Sequence, residues 1–175
     1  MKPSSSVAPS TLHAKSAKYG LTLHQHLKDT RHAAVALFRS DARWGRCFAR
    51  FFHISSTEHA RFLTHLEAAA LLHDIGKANE DFQRMVSGPR GDRQTLRHEH
   101  LSAMFIHLPH IWAWLSTARG IDLHAITAAV LSHHLKAAET EAEAEHAPVW
   151  GHPQIVGTSV DLFFEHPDVR AMLGE

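Results

Sequence analysis

The stretch Leu71–Gln83, LLHDIGKANEDFQ, sets a histidine and an aspartate side by side at the end of an apolar run. Upstream of it, Phe62, Leu66, Ala69 and His73 follow i, i+4, i+7, i+11 spacing. That pattern predicts a helix over 57–75 with His73 inside its apolar stripe. Asp74 lies about 100° further round, at the stripe's edge. Lys77 would project between the two if the helix continued another turn. An imidazole, a carboxylate and an amine thus converge beside Gly76. Ser55 and Glu58 have capping-box spacing and mark where this helix begins.

Outward from this stretch the helical period continues almost throughout, with no alternating strand segment and no internal repeat. It predicts helices near 21–39, 46–53, 57–75, 78–86, 98–117 and 121–137, with one or two short ones between Val160 and Leu173. The fold class read from this is all-α. Residues 1–20, rich in Ser, Pro, Ala and Lys, read as a flexible N-terminal segment. Residues 21–175 read as a single helical domain without a clear closing element at its C-terminal end.

The bulk composition excludes more than it identifies. The 175 residues suffice for a hydrophobic core without staples, and 18 Lys and Arg balance 18 Asp and Glu. Neither a strongly basic nucleic-acid clamp nor a polybasic membrane anchor is expected, so any nucleic-acid contact must come from a local patch. A single cysteine, Cys47, fits a reducing compartment. No apolar run is long enough to span a bilayer, and the N-terminus lacks the apolar core of a secretion signal. The expectation is a soluble, cytoplasmic protein with no membrane partner. The unusual number is histidine, at 18 residues.

Helical phase sorts those histidines. Ile126, Val130 and His133 share a face, with His134 beside it; His26 flanks the stripe Leu23, Leu27, Ala34, Phe38. His98 and His100 lie on opposite flanks of the stripe Leu101, Phe105, Leu108, Trp112, and periodicity does not choose between them. Burying several imidazoles and a carboxylate in one core is costly unless something pairs them, and a bound cation does so. The remaining twelve histidines, His59 and His166 among them, read as surface or incidental, and the four tryptophans read as packing.

Four segments taken in order, LHQHLKDT (23–30), LLHDIGKANEDFQ (71–83), RHEHLSA (97–103) and VLSHHLK (130–136), resemble the HD superfamily of metal-dependent phosphohydrolases. More narrowly, they are similar to the HD nuclease domain of type I CRISPR helicase-nucleases. The aromatic-Gln pair Phe82-Gln83 fits that subgroup. The resemblance implies an HD-domain helical bundle in which His26, His73, Asp74, His98, His133 and His134 are metal ligands. It selects His98 over His100 through the Arg-His-Glu match. It implies catalytic roles for Asp74, His73 and Lys77, with Lys77 contacting a phosphate or the metal shell. Two departures stand out: Leu135 follows the paired histidines where the subgroup often has glycine, and the family's final aspartate has only Asp161 as a candidate.

The implied activity is metal-dependent cleavage of single-stranded DNA in CRISPR interference. Two metal ions about 3.5–4 Å apart activate water and neutralise charge on a phosphoryl group. A nitrogen-rich set favours one or two ions of Mn, Fe, Co, Ni or Zn over Mg. Arg84, Arg90, Arg93 and Arg97 would form a basic rim beside the site. No G-x-x-x-x-G-K-[ST] loop is present, so the helicase would be a separate protein or domain, with a CRISPR effector complex as further partner. The alternatives are an HD phosphohydrolase acting on nucleotides and a degenerate, non-catalytic HD docking domain.

Overall fold

In the computed structural model, the described residues are 8–88, 94–118, 120–134 and 160–173. After a short 3-10 helix at Ala17–Tyr19, their order is α1 (Leu23–Phe38), α2 (Arg43–Phe51), α3 (Ser56–Leu72), a 3-10 turn (Ile75–Lys77), α4 (Glu80–Ser87), α5 (His98–Ile106), α6 (Pro109–Ser116), α7 (Leu123–Ser132) and α8 (Pro167–Leu173). Among the described residues only isolated bridges, His13 with Thr22 and Asn79 with Leu162, interrupt the helices. The protein is all-α.

Several starts have a local cause. The Thr22 hydroxyl accepts from the Gln25 amide at the head of α1. Ser55 and Glu58 form the capping box that begins α3. Asn79 accepts from the Phe82 amide to start α4, and Asp122 from the His124 and Ala125 amides to start α7. The helix predicted over 98–117 is two helices. Leu108 precedes Pro109 in extended conformation, and Pro109 sits at the first turn of α6, where its missing N–H costs nothing. Of the predicted helix 121–137, α7 occupies Leu123–Ser132, and 135–137 lie outside the described residues.

α1 packs along α3, α3 against α7, and α7 against α5, which in turn lies on the 3-10 turn. The core between them is aliphatic and aromatic: Leu23, Leu27, Leu72, Ile75, Phe105, Ile106, Ile126 and Val130 are almost wholly buried. The turn approaches α5 so closely that a Cβ on Gly76 would stand 2.1 Å from the His98 carbonyl oxygen and 2.6 Å from the Ser102 nitrogen. Only glycine fits there, and the Gly76 amide donates to the Ser102 hydroxyl at 2.8 Å.

The first twenty residues are not uniformly loose. Leu12 and Ala14 are buried in the core. The Leu12 amide donates to Asp168 and the Leu23 amide to the Leu12 carbonyl. Composition hides this, because one leucine and a few backbone bonds suffice to pin the segment. Among the described residues, no helix is long and apolar enough to cross a membrane.

Candidate metal centre

α3 ends at Leu72, one turn earlier than the periodicity suggests, and the chain leaves the helix at Asp74 with φ −113° and ψ 9°. That bridge-region conformation, common at functional sites, turns the chain into the 3-10 turn, so Lys77 still returns to Asp74. Its Nζ lies 2.6 Å from Asp74 Oδ2 and 3.3 Å from the Ala14 carbonyl oxygen. Lys77 is buried. Its contact is with the carboxylate.

Around Asp74 the histidines divide by oxygen. On the Oδ2 side, His26 Nε2 stands at 2.8 Å and His73 Nε2 at 3.2 Å. On the Oδ1 side, His98 Nε2 stands at 3.0 Å and His133 Nε2 at 3.3 Å, and His134 Nε2 lies 3.0 Å from His98 Nε2. Within each of the two sets the ligand atoms lie within 4.8 Å of one another, and Asp74 belongs to both. Helices α1, α5, α7 and the end of α3 each contribute, so the cluster exists only when the bundle is assembled. Histidine 100 faces the groove of Leu96, Met104 and Leu131 instead.

The donor set fits a cation. His73 Nδ1 donates to the Ala70 carbonyl at 2.8 Å and His133 Nδ1 to the Val130 carbonyl at 2.5 Å. These bonds favour a proton on Nδ1, so the neutral ring offers its Nε2 lone pair to a metal ion; without metal, a proton on Nε2 makes the contact with the carboxylate. His98 and His134 likewise present Nε2 to Nε2. Two lone pairs at such distances need a proton or a metal ion between them.

The electrostatics agree. Burial alone would push the Asp74 carboxyl up, but hydrogen bonds with His133, His26, His73 and His98 hold it well below the usual carboxylate range. Burial also works against a charged His133, yet the Asp74 hydrogen bond and charge raise it above the ordinary histidine value. Burial and the neighbouring His133 and His98 push His134 down. His133, in contact with Asp74, is thus favoured in its charged form, and His134 beside it in its neutral form. An ionised carboxylate ringed by imidazole nitrogens could hold a metal ion.

The Cas3 HD-domain model ("Cas3, HD domain") matches residues 12–166. The chain belongs to the Cas3 HD-domain family. A protein of Myxococcus xanthus (strain DK1622), named as a CRISPR-associated nuclease/helicase Cas3, is 36% identical over 109 residues. That alignment covers 61% of this chain and 14% of the relative. No solved structure matches.

Several residues supporting this Cas3 HD centre escaped the periodicity. Gln83 donates to the carbonyls of His13 and Lys77 and accepts from the His13 amide, tying the N-terminal segment to the turn. Phe82 lies 5.2 Å beneath the Lys77 ammonium and packs edge-on to the His98 ring. The only signal for either was the aromatic-Gln pair. Ser102 and Ala14 left none. Asp161 is in neither donor set; its backbone carbonyl accepts from the Glu80 amide. Arg84 pairs with Asp81 and Glu80, and Arg97 pairs with the buried Glu99, so both engage carboxylates. Arg90 and Arg93 lie outside the described residues.

Two histidines expected at the surface are buried. His59 donates to the Phe38 carbonyl at 2.8 Å, and His166 to the Pro9 carbonyl at 2.8 Å. Each donates to one backbone carbonyl, and His166 Nδ1 also accepts from the Asp168 amide at 3.1 Å. That solution differs from convergence on a carboxylate and is invisible to a search for paired ligands.

Proposed function

We propose that this chain is a metal-dependent phosphodiesterase that cleaves single-stranded DNA in CRISPR interference. The observation that carries the reading is the Asp74 carboxylate shared by two histidine sets. His26 and His73 would hold one divalent ion with Oδ2; His98, His133 and His134 would hold the other with Oδ1. Such ions, when bound, supply Lewis acidity toward a phosphoryl group and toward water. Imidazole-rich donors select Mn, Fe, Co, Ni or Zn.

The protein's own residues do the rest. Lys77 holds Asp74 Oδ2 and is itself held by the Ala14 carbonyl, so the carboxylate cannot swing away. The backbone bonds of His73 and His133 hold their rings with Nε2 aimed at Asp74. His134 is exposed whereas Asp74 is buried, so a phosphodiester approaches over the α7 end of the cluster. The similarity to a nuclease/helicase supports DNA as substrate, with a helicase and a CRISPR effector complex as partners delivering it.

Metal-loaded protein incubated with single-stranded DNA and with a panel of nucleotides tests the reading. DNA shortened to fragments is the expected result. Hydrolysed nucleotides beside intact DNA would make this a nucleotide phosphohydrolase. Elemental analysis showing no bindable transition metal would make it a non-catalytic docking domain.

A further inference from the structure

Helix α2 reads RWGRCFARF and has two faces of different kinds. Its inner face is locked to the end of α1. A Cβ on Gly45 would meet the Arg39 carbonyl oxygen at 2.2 Å, and Phe48 packs on Phe38 and Phe62 with ring centroids 5.4 and 4.7 Å away. Its outer side carries Trp44, Phe51 and, just beyond the helix, Phe52, exposed by 68%, 75% and 58%. A soluble domain gains nothing by leaving three large rings in water side by side, so an exposed patch of this kind marks a binding surface.

Charge indicates what binds there. Arg43, Arg46 and Arg50 are exposed along the strip next to these rings, and none pairs with a carboxylate among the described residues. The nearest acid in the chain, Asp41, is engaged by Arg39 at 2.9 Å, and no other Asp or Glu occurs before Glu58. Arg43-Trp44 and Arg50-Phe51 form the same dyad seven residues apart, about 10 Å along the helix. Between the rings runs a groove of about 530 Å³ lined by Trp44, Cys47, Phe48, Phe51 and Phe52, with Arg50 at its edge. On a chain of zero net charge this is a local concentration of cation and aromatic surface.

We infer that α2 is a docking site for single-stranded DNA, in which the arginines take phosphates and the rings of Trp44, Phe51 and Phe52 stack on bases. Uncompensated arginine beside aromatic faces is how sequence-independent single-strand binding is built, because every base has a π-face and every nucleotide a charge. The inference rests on the reading of Asp74 as a DNA-cleaving centre. α1 runs from His26 at that centre to Phe38 under α2, about 18 Å. A strand gripped at α2 therefore has only the length of one helix to cover.

The test is fluorescence anisotropy of a labelled oligothymidylate with metal-free full chain at fixed low salt. Trp44→Ala and Phe51→Ala should each weaken binding about tenfold. Arg43→Gln combined with Arg50→Gln should flatten the dependence of affinity on salt concentration. Trp114→Ala, an exposed tryptophan on α6, should bind as wild type, with far-UV circular dichroism showing every variant folded. Wild-type affinity in the Trp44 and Phe51 variants, or an equal loss in Trp114→Ala, overturns the inference. So does a result in which the α2 variants keep DNA but lose adsorption to anionic phospholipid vesicles. Because binding is read without metal, an absence of DNA cleavage by metal-loaded protein would refute the nuclease reading and leave this measurement standing.

Discussion

On its Oδ2 side Asp74 meets two imidazoles and the ammonium of Lys77; on its Oδ1 side it meets His98 and His133, with His134 beyond, and pairs with no Lys or Arg among the described residues. One half of the centre already contains a fixed cation and the other half does not. Two unit charges 4 Å apart at an effective dielectric of 20 interact by about 4 kcal/mol. A divalent ion entering the Oδ2 set meets that repulsion, and an ion entering the Oδ1 set, farther from Lys77, meets less of it. The two sets, similar in ligand type, should therefore fill in order, Oδ1 first.

The largest effect tests what the halves share. Asp74→Ala removes the common ligand, so DNA hydrolysis should fall to background and elemental analysis should find no bound metal, while far-UV circular dichroism keeps its helical signal. Retained activity would remove the centre altogether. Next comes the scaffold beneath both halves. Gly76→Ala forces a methyl into the His98 carbonyl, and urea unfolding should show a loss of about 3 kcal/mol. An unchanged midpoint would mean that the turn moves freely against α5.

The halves separate under single-ligand changes followed by calorimetric metal titration. His98→Ala should abolish the tighter equivalent, and His26→Ala should spare it and weaken the second. Identical isotherms for the two variants would erase the comparison. Lys77→Met sharpens it, because removing the fixed ammonium should strengthen the second equivalent about tenfold or more. No change there would assign the asymmetry to something other than charge.

The smallest effect is in pH. In metal-free protein His133 is raised above the ordinary histidine value of 6.5, with burial opposing and the bond to Asp74 prevailing. Its stabilising contribution is full below 6.5 and is lost as pH rises through the raised value. Metal binding runs the other way, since neutral imidazoles are the ligands. The gap in Tm between metal-loaded and metal-free protein should widen as pH rises from 6.5 through the raised value. A gap that narrows would show that His133 is not a ligand.

Legibility in the sequence follows the range of each interaction. His73 and His133 were readable because helical phase is local and their neighbours declare the buried face. The break at Pro109 was equally local, yet the apolar stripe running through Leu108 to Trp112 masked it. His98 and His100 stayed ambiguous because both flank one stripe, and the choice depends on where α5 lies against the turn. His59 and His166, read as surface or incidental, are buried because a backbone carbonyl from a distant segment accepts from each of them. Trp44, read as packing, is exposed, since a tryptophan in sequence does not say whether anything covers it.

By itself the sequence determined the helical class, the inward phase of the histidine pairs and, through the order of four short segments, the family. Those are properties of near neighbours along the chain, where a 3.6-residue period dictates which side chains share a face. Tertiary structure alone decided that one carboxylate stands between two histidine sets, that Lys77 occupies one side of it, and that Gln83 locks the N-terminal segment beside that lysine. These contacts join residues tens of positions apart. Their geometry is set by the close approach of the turn to α5 at Gly76, which no local pattern encodes.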